Sequence, residues 1–105
     1  MHTNTLIIGC NGFVLSIDPL NGNEIWRTKL RDGVLGGSRG YDVSVLLKED
    51  KVFAGCYGRI YCLARIDGRL LWSNELNGIG YNEVALATEG VSTQFITRVE
   101  HTTGN

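Results

Sequence analysis

The sequence predicts an all-β fold, a β-propeller of four-stranded blades with about two blades per chain. Three observations carry that reading. The apolar runs are short and rich in β-branched residues, with no apolar set recurring at helical spacing. Turn residues punctuate them, with 14 Gly and 1 Pro in 105 residues. One pattern is also written twice. LIIGCNGFVLSIDPLNGNEIWRTKL runs from Leu6 to Leu30, and VFAGCYGRIYCLARIDGRLLWSNEL from Val52 to Leu76.

Taken in order, Thr5 to Cys10 is an apolar strand. Asn11-Gly12 follows, a strong hairpin signal because both residues tolerate positive φ. Phe13 to Ile17 returns. Asp18-Pro19-Leu20-Asn21-Gly22 is a loop in which Pro19 presets φ and Gly22 supplies a left-handed exit. Glu24 to Leu30 is a third strand carrying Trp26, which completes an antiparallel meander. Asp32 to Gly40 is a Gly-bearing link, and Tyr41 to Leu47 is a strand. Lys48 to Lys51 is a charged turn. A second meander follows, with strands Val52 to Cys56, Arg59 to Ala64 and Arg69 to Leu76, turning at Tyr57-Gly58 and Asp67-Gly68. Beyond the link Asn77 to Tyr81, Val84 to Thr88 is a strand, Glu89-Gly90 a turn and Val91 to Val99 a last alternating strand.

Gly9 and Gly55, Cys10 and Cys56, Gly12 and Gly58, Gly22 and Gly68, Trp26 and Trp72, and Leu30 and Leu76 all share an offset of 46. A period in the forties with four strands per unit is a propeller-blade signature. The strand from Tyr41 is expected to reappear from Tyr81, at an offset of 40. The motif Val52, Gly55, Gly58, Ile60, Leu63, Gly68 and Trp72, with its copy Leu6, Gly9, Gly12, Val14, Ile17, Gly22 and Trp26, resembles the pyrroloquinoline-quinone (PQQ) repeat, or tryptophan-docking repeat. The resemblance implies that each repeat is one blade. It also implies that Trp26 and Trp72, with Gly9 and Gly55, pack blades together. A bulky indole needs a neighbouring sheet to cover it, which agrees.

With strands labelled A to D outward from the axis, residues 1–105 form a single domain. Residues 5–30 supply B to D of one blade and 41–76 a full second blade. Residues 81–99 supply an A strand for a neighbouring blade plus an extra strand, and 100–105 form a tail. Propellers close with more blades than this. The expectation is a homo-oligomer, a trimer or tetramer closing a six- or eight-bladed ring, in which one chain's A strand completes the next chain's blade. A truncated remnant of a longer propeller is the alternative.

Composition narrows the function classes. Hydrophobic residues are 43%, charged residues 20% and the net charge is −1, as in an ordinary globular protein. No basic stripe marks a nucleic-acid surface. Arg27, Lys29 and Arg31 alternate but are diluted by Glu24, Asp32 and Asp42, so a solvated edge is expected. No run is long enough for a membrane span. Ile7-Ile8-Gly9-Cys10 looks like a lipid-attachment box, but Phe53-Ala54-Gly55-Cys56 repeats it in mid-chain, so the match is read as chance. Three Cys suggest free thiols and a cytoplasmic location, and the thiols are expected to be small buried core groups.

No metal spacing and no nucleophile constellation stand out. The quinoprotein dehydrogenases that share these repeats use an acidic Ca site, a catalytic Asp and often a vicinal disulfide. No Cys-Cys pair stands here, so no cofactor and no catalysis are expected. In propellers the D–A and B–C loops share a binding face. That face would collect Asn11, Arg39, Tyr41, Asp42, Tyr57, Arg59, Tyr81 and Asn82. The function expected is a non-catalytic binding or scaffolding module for a protein partner. A carbohydrate- or small-ligand-binding propeller of the lectin type is the alternative, and a quinoprotein-like oxidoreductase the third.

Overall fold

Two-residue turns organise both large sheets. The computed structural model describes residues 4–30 and 41–93. Arg39, the Gly36–Gly40 link, residues 94–99 of the expected last strand and the tail 100–105 lie outside the described residues. β1 (Leu6–Cys10), β2 (Phe13–Ile17) and β3 (Glu24–Lys29) form an antiparallel sheet in chain order. β4 (Val43–Lys48), β5 (Lys51–Cys56), β6 (Arg59–Ala64) and β7 (Leu70–Asn74) form a second, also in chain order. Two antiparallel sheets of three and four strands are what partial propeller blades look like.

Asn11-Gly12 has φ values of 54° and 83°, and Tyr57-Gly58 has 54° and 75°. Positive φ at both central residues is the turn whose twist matches its flanking strands. The outer loops repeat just as closely. Gly22 N–H donates to Asp18 C=O (2.7 Å), and Gly68 N–H to Ala64 C=O (2.8 Å). A bulge follows Ser16 in one sheet and Cys62 in the other. Ile7-Ile8-Gly9-Cys10 lies wholly in β1, paired residue for residue with β2.

The sheets stack face to face. The core between them joins Val14 and Leu30 of the first to Val52, Ala54, Cys56, Tyr61 and Leu63 of the second. Strand alternation puts these groups on facing sides. Trp26 packs at the margin of this core, and its Nε1–H donates to Arg65 C=O at 2.9 Å.

Four expectations need correction. The strand expected over Val84–Thr88 is paired only at Ala87–Thr88 (β8), with Val91–Ser92 (β9) across Glu89-Gly90. Leu86 is taken up by that hairpin. Its N–H donates to Thr93 Oγ1 and its C=O accepts from Thr93 N–H. Second, the return of the Tyr41 strand is offset by 41, not 40. Gly12 N–H donates to Tyr41 C=O (3.0 Å), while Gly58 N–H donates to Asn82 C=O (2.7 Å). Val43 lies where a Cβ on Gly9 would be, 2.9 Å from its Cβ, and Val84 does the same at Gly55 with 2.6 Å. Tyr81 is therefore one place before the Tyr41 equivalent, and a one-residue shift sends a side chain to the other face.

Third, Cys10 is exposed although its copy Cys56 is buried, because no sheet covers that side of β1 among the described residues. Fourth, Trp72 is 47% exposed, where its copy Trp26 has the second sheet to cover it.

Candidate functional site

The turn at Tyr57 combines backbone strain with aromatic stacking. Left-handed φ suits Gly or Asn and costs other residues about 1–2 kcal/mol. The first repeat places Asn11 at this position and the second places Tyr57, at the same φ of 54°. The Tyr57 ring is sandwiched. Tyr41 stacks on it with centroids 4.0 Å apart and Tyr81 with centroids 4.9 Å apart. Aromatic pairs contribute about 0.5–1.5 kcal/mol each beyond area. Two of them offset the strained turn. A backbone outlier held in place by its surroundings is a recognised mark of functional positions.

Of the eight residues expected on the loop face, Tyr41, Tyr57 and Tyr81 form this single stack. Arg59 and Tyr81 line an adjoining cleft of about 280 Å³ with Glu75, Leu76, Asn77, Gly78 and Gly80. Asn82 enters through its backbone, which anchors Gly58. Asp42 is exposed beside Tyr41. Asn11 is exposed at the first turn, and its neighbour Gly12 holds the Tyr41 carbonyl. Arg39 lies outside the described residues. Glu75, Leu76, Asn77, Gly78 and Gly80 escaped the sequence reading. The clue was there in the density of Gly between Asn77 and Tyr81, where Gly78 and Gly80 take φ of 90° and 95°.

The site's electrostatics centre on one cation. Arg59 Nε and Nη1 are buried, and among the described residues no hydrogen bond reaches them. Buried donors without acceptors are costly, so the site favours an acceptor brought to it. The Tyr57 phenol is held above its ordinary pKa, first by its hydrogen bond with Tyr41, then by burial and the Tyr41 charge, with Arg59 pulling the other way. A raised pKa favours the neutral phenol. This contribution is therefore complete below the ordinary tyrosine range and is lost as pH rises through the raised value. In a phenolate absorbance titration one of the four tyrosines should ionise late. Tyr57→Asn should remove that late step, and an unchanged titration would contradict the assignment.

Thiol chemistry finds little support. Cys62 is buried and its pKa is raised, chiefly by that burial, so the nucleophilic thiolate is disfavoured. Among the described residues no three His, Cys, Asp or Glu converge to hold a metal, and no helix is long and apolar enough to cross a membrane.

The sequence model of the family described as outer membrane protein assembly factor BamB, a PQQ-repeat family, matches residues 10–105. The chain belongs to this family. In PQQ-repeat terms the two sheets are successive blades, Trp26 is the docking indole of the first, and the tyrosine stack lies on the turns that link β1 to β2 and β5 to β6. No curated protein matches this PQQ-repeat chain.

Proposed function

We propose that this PQQ-repeat chain is a non-catalytic binding module. In this reading it scaffolds a protein partner through the Tyr41–Tyr57–Tyr81 face and self-associates head to tail into a ring of three or four chains. The observation that carries it is the strained Tyr57 turn, which holds three aromatic rings beside the Arg59 cleft. Tyr and Arg are the side chains that dominate protein recognition, because they supply rigid apolar area with a polar end. The family description names an assembly factor, which is in keeping with a scaffold. Repetition of the face around a ring would suit a multivalent partner.

Peptide display against the full chain tests this reading. Peptides selected on the native chain should bind Tyr57→Asn at least about tenfold more weakly, the loss expected of a central aromatic anchor. The variant keeps its turn, since the first repeat already uses Asn at that position. Selected peptides that ignore the substitution would refute the assigned face. A carbohydrate reading is favoured by the 65% exposed Tyr81 ring next to a cationic cleft. It would be upheld by a glycan array that enriches Tyr57-dependent ligands where peptides do not. Dye-linked turnover on adding PQQ and Ca²⁺ would instead support an oxidoreductase.

A further inference from the structure

Each blade has two sides, and the chain shows how one side fits the other. On the first blade Ile7, Gly9, Val14, Ser16, Trp26 and Thr28 share a face by strand register. That face lies on the second blade. At the joint the Trp26 indole N–H donates to Arg65 C=O at 2.9 Å, and Thr28 Oγ1 donates to Gly68 C=O at 2.6 Å. Gly68 is buried under the indole, and a Cβ there would collide with the Trp26 ring. The joint is an indole knob laid on a glycine turn.

Both halves recur 46 positions away with nothing upon them. The second knob is Trp72, 47% exposed, in a groove of about 260 Å³ with Phe53, Ile60 and Leu86. The second socket is Gly22, exposed, at φ +81°, with nothing within 4 Å of a Cβ built there. The turn that carries it has the same hydrogen bonding as the occupied one. The side chains around the two sockets differ in the same sense. Leu6 and Ile8 are 52% and 37% exposed, whereas their copies Val52 and Ala54 are fully buried at 0%.

We propose that Trp72 of one chain docks on the Gly22 turn of a second copy, donating its indole N–H to Pro19 C=O as Trp26 donates to Arg65. This rests on the self-association reading above and assigns its contact. A second copy is the occupant because the molecule already contains the complementary surface, with knob and socket on opposite sides. Opposite sides make the contact heterologous, so chains add head to tail. The acceptor is a backbone carbonyl, which proline retains. Asn74 stands where Thr28 does and keeps amide N–H donors for Gly22 C=O. One contact has no copy. Arg65 Nη2 donates to Thr5 C=O at 3.2 Å, and Pro19 carries no donor to replace it. The joint between chains is therefore the weaker of the two, and dilution should part it.

The test is sedimentation and native mass of the full chain over a wide concentration range. Trp72→Ala removes the knob. Gly22→Asn keeps the left-handed turn but blocks the socket. Each should weaken association at least about tenfold. An equimolar mixture of the two restores one good knob–socket pair and should associate more tightly than either alone. Cys10, exposed where its copy Cys56 is buried, should label quickly with a thiol reagent when dilute and slowly when associated. Native association that both variants leave untouched would overturn the docking while sparing self-association. A mixture no tighter than its components would also overturn the docking. A chain that stays monomeric throughout would overturn both.

Discussion

Trp26→Ala should lower the unfolding free energy by about 3 kcal/mol, near the lower end for removing a packed aromatic ring because Trp26 is partly, not fully, buried. The substitution empties the joint between the blades and leaves the Arg65 carbonyl without its indole donor. Trp72→Ala, measured in dilute protein, should cost under about 1 kcal/mol, because its ring is half exposed and leaves little cavity. Urea denaturation of both variants checks the contrast. Equal losses would mean that Trp26 does not hold the blades together.

Gly68→Ala should be nearly as damaging as losing the indole. Its φ of +78° alone costs a side chain about 1–2 kcal/mol. The new Cβ would also run into the Trp26 ring and Thr28 Oγ1, adding about 1–3 kcal/mol of overpacking. Gly22→Ala meets open space at a similar φ and should show only the backbone cost. A double-mutant cycle separates the two effects. Combining Gly68→Ala with Trp26→Ala should recover the overpacking part, whereas strictly additive losses would remove the steric explanation.

Much of the fold was legible because turns carry their own chemistry. Asn11-Gly12 and the paired Gly22 and Gly68 mark backbone conformations that few residues tolerate, so the offset of 46 identifies two copies of one meander. The register of the next strand was not legible in the same way. Tyr41 and Tyr81 look like partners, yet the alignment is decided by backbone bonds from Gly12 and Gly58 and by the side-chain-free slots at Gly9 and Gly55. Val43 and Val84 fill those slots, and valine is too common in strands to announce such a role.

At the candidate site, sequence could bring the tyrosines to one end of the blades through their turns. It could not reveal a stack, because stacking depends on Tyr81 being one place out of step with Tyr41. Cys10 and Cys56 make a similar point. They are identical residues at identical strand positions, and whether each is buried depends on what lies across from it.

The repeated meander also has a kinetic consequence. Every strand pair in the two large sheets joins neighbours in sequence, across short connections. Hairpins of this kind close within microseconds. The bond from Trp26 to Arg65 spans 39 residues and needs both sheets already built, so its formation bears the larger loop-closure entropy. Blade formation and blade docking are thus separate events in folding, with docking the slower. The Trp26 indole sits at the contact made last, where its fluorescence would time the final step of the chain's own assembly.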